Sequence, residues 1–316
     1  VPGTVVDLEP DDPRIAALLE TASPTASIPA GDPRVARWVG VDDPDGPDAP
    51  DTAGTGGLVG LLALYFSAGA GTFDMAVLAK AHYPKSLQIW TFVMFWLGFG
   101  SLAGVFPFHT WSPDGHASAP TAVSMLHAGV LMKLGAFGVM RIGMMMLPDG
   151  AQFWAPIVGG VAVVNVVYGA MSALSQKDLK YIIAYSSVSH MGVVMLGAAT
   201  LTQSGWNGAV YQMFAHGIMT GLFFALVGHI YERAHSREVA KMGGFATVMP
   251  GVAAFFTLAG LSSLGLPGTA GFVAEFLVFA GGWQSPRPWW SICGVIGAFV
   301  TAVYVLRVSR AVFFGD

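Results

Sequence analysis

Two charged side chains stand alone in long apolar stretches of this sequence, Lys133 and Glu275, and three histidines, His127, His190 and His216, lie in apolar stretches of their own. Together they offer one kind of chemistry, the handing of protons from group to group. Lys133 sits in the middle of an apolar run from Pro120 to Leu147. At 1.5 Å of rise per residue such a run is long enough to cross a hydrocarbon core of roughly 30 Å. An ammonium at that depth costs about 3 kcal/mol or more unless it faces protein or water, so its default reading is an ion site. A lysine that snorkels to the interface is the alternative, and the distance to either end of the run speaks against it. Glu275 lies in Gly271-Phe-Val-Ala-Glu275-Phe-Leu-Val-Phe279, just after Pro267-Gly268. A carboxyl in such surroundings changes its protonation when a cation or water approaches, which is what a relay requires. A neutral, hydrogen-bonded structural acid is the alternative. Imidazole titrates near neutrality and can accept and donate together. One intramembrane histidine is as consistent with packing as with proton transfer, but His190 and His216 fall near the middle of adjacent spans. No pair of these histidines has metal-ligand spacing on a single helix, so no metal site is expected.

The elements that must hold these groups are membrane helices. The chain is 54% hydrophobic and 11% charged, with 41 glycines and a mean hydropathy of +0.60. That composition excludes an ordinary soluble domain and matches a polytopic all-α membrane protein. Eight spans are expected, at about 56–75, 87–108, 120–147, 152–174, 180–202, 206–231, 248–283 and 289–315. Two of them should be discontinuous. The seventh is too long for one crossing and carries Leu266-Pro267-Gly268-Thr269 inside it. The second runs into Phe106-Pro107-Phe108-His109 and Ser112-Pro113-Asp114-Gly115-His116. Interrupted helices at membrane depth are tolerated only against protein or a wet cavity, and paired interruptions mark ion pathways.

Charge is divided unevenly. Residues 1–53 hold 11 of the 19 acids and only Arg14, Arg34 and Arg37 as bases, while the other 263 residues carry 12 bases and 8 acids. The first 53 residues read as an acidic, Pro/Asp-rich disordered segment, lacking the basic and apolar parts of a signal peptide. Residues 54–316 form the membrane domain. Counted by alternate loops, one side collects Lys177, Lys180, Arg233, Arg237, Lys241, Arg307 and Arg310, and the other Lys80, Lys85, Arg141 and Arg287. Seven against four makes the first side cytoplasmic, with the N-terminal segment on it. Lys180 and Asp178, in Gln176-Lys177-Asp178-Leu179-Lys180, could take up protons from that surface, although charged connectors more often serve as helix ends and interface anchors. No basic stripe points to nucleic acid. The single Cys293 cannot build a disulfide frame or an iron–sulfur site, and neither Gly-x-Gly-x-x-Gly after a strand nor a P-loop is present. Electrons, if any move, would move in other subunits.

Four stretches carry a family resemblance: PFHTWSPDGHASAPTAVSMLHAGVLMKLGAFGVMR, QKDLKYIIAYSSVSHMG, GAVYQMFAHGIMTGLFFALVGHIYERAHSRE and LPGTAGFVAEF. Over residues 56–316 the chain resembles the antiporter-like membrane subunits of respiratory complex I, most nearly those of the subunit M (chain 4) type. The resemblance implies an inverted five-helix-repeat fold, with residues 56–147 in the first repeat and 152–315 in the second, and the eight spans matching the sixth to thirteenth of fourteen helices. It places Lys133 at the lysine that connects two half-channels, Glu275 at the carboxylate of the second broken helix, and His190 and His216 on the polar axis between them. His127 falls where a related subunit has a channel histidine. The family's usual lysine and proline before the first break are replaced here by Leu102-Ala103-Gly104, and its fourth and fifth helices have no counterpart in these residues, which leaves the first half-channel incomplete. NADH, FMN, iron–sulfur clusters and quinone are implied for partner subunits and no cofactor for this chain. The implied setting is the bacterial inner membrane, among other membrane subunits and lipid. A sodium/proton antiporter or membrane-bound hydrogenase subunit, and a structural subunit that no longer pumps, are the readings left beside proton translocation.

Overall fold

The computed structural model describes residues 52–315; the acidic segment expected over 1–53 lies outside them save for its last two residues, as does Asp316. The described residues are helical. Helix α1 covers Thr52–Ala68, and the short α2, Met75–Leu78, is capped by the Asp74 side chain, which accepts from Ala76 N–H. Helix α3 runs Lys85–Leu102 and α4 Trp111–Ser118. The long α5, Thr121–Met144, contains two wider π turns, at His127–Leu131 and Val139–Met144. It is followed by α6, Pro148–Ser175, whose Pro148 occupies the first turn, where no donor is needed, while Pro156 lies inside the helix. Helix α7, Leu179–Ala199, begins at Asp178, whose carboxylate accepts from Lys180 and Tyr181 N–H. Helix α8 spans Gln203–Ala234 behind a Thr202 cap. A short α9, Phe245–Val248, precedes α10, Pro250–Ser263, then α11, Ala270–Gln284, and α12, Trp289–Phe313.

Five of these, α5, α6, α7, α8 and α12, are long and apolar enough to cross a membrane on their own. The other expected spans end earlier or break. The first stops at Ala68, before Gly69 and Gly71, both with positive φ. The second stops at Leu102 and resumes only at Trp111. The seventh divides into α10 and α11 across Leu264–Thr269, where Gly265 (φ +71°) and Gly268 (φ +99°) turn the chain around Pro267.

Helix α7 is the axis. In its apolar window 94% of residues are buried, against 39% for α12 at the periphery. A helix apolar all round is stable only when neighbours cover it, and small residues let them come close: a Cβ on Gly169 of α6 would lie 2.6 Å from the Ser189 nitrogen of α7. Helix α5 is two-faced. Leu126, Val130, Leu134 and Phe137 form an exposed apolar stripe at helical spacing, while Lys133 points inward and is 9% exposed.

One end of the bundle gathers charged connectors. Arg237 Nε lies 3.2 Å from Asp178 Oδ2, Val239 N–H donates to Lys177 O, and Arg307 donates to Leu174 O at 3.3 Å. Lys241 sits 2.5 Å from Glu238 and holds that carboxyl below its ordinary value of 4.5. At another connection Gln88 clasps Asp149, donating from Nε2 to its carboxylate (3.1 Å) and accepting from its N–H (2.9 Å). Four of the seven basic residues that the loop count assigned to one side, Lys177, Arg237, Lys241 and Arg307, thus belong to these connector contacts.

Candidate functional site

Lys133, His216, His190 and Glu275 form one buried row drawn from four helices. Lys133 Nζ, on α5, donates to the Ala128 carbonyl in the π turn before it and lies 2.6 Å from His216 Nδ1 on α8. The ring of His216 faces that of His190 on α7, with centroids 5.2 Å apart. His190 then meets α11: its Nδ1 is 3.5 Å from Glu275 Oε1. Each of the four is at most 9% exposed. Charged groups withdrawn from water in this way feel one another strongly, because little solvent screens them.

Supporting residues fix the geometry. Gln212 stands one turn before His216 on α8, on the same face, and its amide nitrogen is 3.1 Å from His190 Nδ1. Ser263, the last residue of α10, places its hydroxyl 3.0 Å from His190 Nε2. The break after α10 admits Glu275 against bare backbone: a Cβ on Gly265 would lie 2.9 Å from Glu275 Oε2. Gln212 Oε1 and His216 Nε2 are buried without a protein partner, and buried polar atoms of this kind are normally satisfied by ordered water.

The first break is held by a residue of the same kind. Asn165 of α6 is fully buried; its carbonyl accepts from Phe106 N–H (2.8 Å) and its amide donates to Gly104 O (3.3 Å) and Val188 O (2.9 Å). The interruption of α3 thus survives without the lysine and proline that the resemblance would put there, because Gly104 (φ +73°) supplies the turn and Asn165 pairs the loosened backbone.

The remaining candidates are placed differently. His127 makes no hydrogen bond with Lys133. It packs on His116, ring centroids 5.8 Å apart, and on Trp111 at 6.5 Å. His116 is wholly buried with neither ring nitrogen paired, and stands between His127 and Phe224. His109 is buried against Phe106 and Tyr168, and Asp114 accepts from the Tyr181 hydroxyl at 3.1 Å. Lys180 and Asp178 are parted by their roles. Asp178 stays at the surface as a helix cap and as partner to Arg237. Lys180 turns inward, 6% exposed, donating to Ala119 O (2.6 Å) and to Ser124 Oγ (3.4 Å), whose hydroxyl donates in turn to His116 O. Ser263, Gln212 and Asn165 carried no signal in the sequence, since single hydroxyl and amide side chains are common in membrane helices. Only their position against isolated charges could have marked them.

Residues 54–301 match the family described as NADH:quinone oxidoreductase/Mrp antiporter, TM. The chain belongs to that family. Among curated relatives it is 42% identical over 261 residues to NAD(P)H-quinone oxidoreductase chain 4 2 of Microcystis aeruginosa, covering 81% of this chain and 47% of the relative. It is 43% identical over 260 residues to chain 4 1 of a Picosynechococcus, covering 80% and 49%. The chain thus spans about half the length of the curated relatives it matches. In three dimensions this family member superposes on a chain of respiratory complex I from Thermus thermophilus with a TM-score of 0.80 at 30% identity, covering 84% of this chain and 56% of that one. A chain of the Mrp complex from Dietzia, at 23% identity and a TM-score of 0.77 over 84% of this chain and 49% of that one, shares the fold. The protein is an integral membrane protein with the all-α, antiporter-like fold of complex I membrane subunits.

Proposed function

We propose that this chain is a membrane subunit of an NADH:quinone oxidoreductase and moves protons along Lys133, His216, His190 and Glu275. The observation that supports this reading is the buried row, in which hydrogen-bond-range contacts flank one ring-to-ring contact between His216 and His190. Two groups of opposite charge type, each costly to bury and each isolated in its own apolar stretch, are joined by two imidazoles at 2.6, 5.2 and 3.5 Å. Electron transfer in partner subunits, which hold NADH, flavin, iron–sulfur clusters and quinone, changes the charge at the end of the row. The row answers by passing a proton, because each member's protonation depends on its neighbour's charge. His116 and His127 extend the row toward Lys180, which collects protons from the end where Asp178 and Arg237 pair. That end faces the cytoplasm, a reading supported by the excess of lysine and arginine there, and the setting is the bacterial inner membrane, a reading supported by the bacterial relatives. Translocation is assigned to the second repeat, residues 152–315, together with Lys133.

Glu275→Gln in native membranes tests this, with NADH-driven quinone reduction and vesicle acidification followed together. Acidification per NADH oxidised should fall in the variant. If both rates equal wild type in a fully assembled complex, the row carries no protons and the chain is structural. A sodium/proton antiporter is the second reading, favoured by the breadth of the matched family. It requires sodium to move against the protons in the same vesicles.

A further inference from the structure

At the end of the bundle where the charged connectors gather, a cavity of about 360 Å³ lies between the last turns of α6 and α12, the first turn of α7 and the turn at Val239–Lys241. That volume falls in the range of ligand cavities, roughly 300–1,000 Å³. Its lining divides by chemistry. Gln176, Lys177 and Arg307 supply a polar, basic part, and Leu174, Val239, Met242 and Val308 are among the apolar walls. Tyr304 also contributes, but its hydroxyl is already donated to Ser186 Oγ at 2.6 Å. No acid lines the cavity among the described residues.

Cations beside helix C-termini ordinarily answer the helix dipole. Arg307 does so in part, giving one N–H to Leu174 O at 3.3 Å, and that bond sets its guanidinium level with the end of α6. A guanidinium has five donors, so most of the fork remains for another acceptor. Lys177 is exposed, and the Glu238 carboxyl, which feels its charge, is held by Lys241 at 2.5 Å. Arg310 follows Arg307 by one turn of α12. The dipole accounts for these charges but not for the carbon-walled volume beside them. A small soluble anion would leave that volume unused. Exposed apolar residues stand next to the cavity on both helices, Met171 on α6 and Val303 and Leu306 on α12. Such surface favours hydrocarbon over water.

We propose that this cavity is a binding site for an anionic phospholipid. Its phosphate is held between Lys177 and Arg307, one acyl chain packs on Leu174, Val239, Met242 and Val308, and the rest of the lipid joins the bilayer along Val303 and Leu306. Arginine reads a phosphate through its planar fork and lysine as a point charge. A basic pocket between membrane helices is a recurring form of such sites. Each basic residue near an anionic headgroup contributes about fivefold in affinity, so the pair sets a preference of roughly thirtyfold over a zwitterionic lipid with the same chains. The site is independent of whether the buried row carries protons.

The test uses the full chain in a mild detergent, mixed with phosphatidylglycerol or with phosphatidylcholine of the same acyl chains, and counts retained lipid by native mass spectrometry. Wild type should hold one phosphatidylglycerol and prefer it roughly thirtyfold. Lys177→Gln/Arg307→Gln should bring the two lipids close to parity. Ala311→Trp fills the cavity and keeps both charges, so it should lose the retained lipid. The charge variant changes two exposed residues, so it decides the matter even if the tryptophan variant fails to fold. Equal retention of the two lipids by wild type, or an unchanged preference in the charge variant, overturns the proposal. If a folded Ala311→Trp keeps phosphatidylglycerol, the lipid sits outside the cavity and the site is overturned. If inorganic phosphate at the same concentration displaces phosphatidylglycerol, the site takes the free anion, and the lipid assignment is overturned.

Discussion

Gly265→Ala should disable the row without touching any ionisable group. Gly265 has φ +71°, and a Cβ there would lie 2.9 Å from Glu275 Oε2, where ordinary contact begins near 3.4 Å. The difference, 3.4 − 2.9, is 0.5 Å, and the carboxyl or the loop must move by that much. The carboxyl has one direction of retreat blocked by His190, already 3.5 Å away, so the gap that a proton must cross is altered by a comparable amount. Misplacement by 1 Å can cost about a hundredfold in a positioned transfer, so half of it predicts roughly tenfold. The left-handed backbone adds about 1 kcal/mol of destabilisation, because alanine has no freedom at positive φ. Gly268→Ala is the matched reference: φ is +99°, yet no atom lies within 4 Å of its Cβ position. Both variants carry the backbone penalty and only one pushes the carboxylate. Vesicle acidification per NADH oxidised should drop about tenfold in Gly265→Ala and stay near wild type in Gly268→Ala. Equal behaviour of the two would refute the claim that the position of the Glu275 carboxyl limits transfer.

Two further outcomes follow from the scaffold. Asn165→Ala strips the partners from Phe106 N–H and Gly104 O, each buried backbone group left unpaired costing about 1–3 kcal/mol, while Val188 O keeps its bond within α7, so the melting temperature of the solubilised protein should fall; an unchanged one would mean the first break holds itself. Glu238→Gln tests a surface pair. Lys241 lowers the Glu238 pKa below 4.5 in the folded chain, so the pair's stabilisation is present above about that pH and is lost as pH falls through the folded value. The variant should therefore melt slightly below wild type at neutral pH and alike in acid, and a gap that widens in acid would reverse the assigned sign.

What could be read from the sequence follows from how expensive each feature is. A lone charge in an apolar run is costly, so Lys133 and Glu275 stand out, and Pro267-Gly268 cannot continue a helix, so the second break is visible. The first break was legible only in its downstream half, at Phe106-Pro107. Its upstream end at Leu102 depends on Gly104 adopting φ +73° and on Asn165, 59 residues away from Phe106, pairing the loosened backbone. Neither is costly enough in isolation to leave a mark. The same holds for the π turns of α5: nothing in His-Ala-Gly-Val-Leu distinguishes a wide turn from an ordinary one, yet the turn holds the carbonyl that receives Lys133. His127 shows the opposite limit. The resemblance placed it at a channel histidine, and in the structure its ring makes no hydrogen bond with Lys133 and packs on His116, a neighbour that no stretch of sequence announces. The groups that carry charge were thus visible from their own burial cost, whereas the groups that aim them, Asn165, Gln212, Ser263 and Gly265, acquire significance only from what stands opposite them across the bundle.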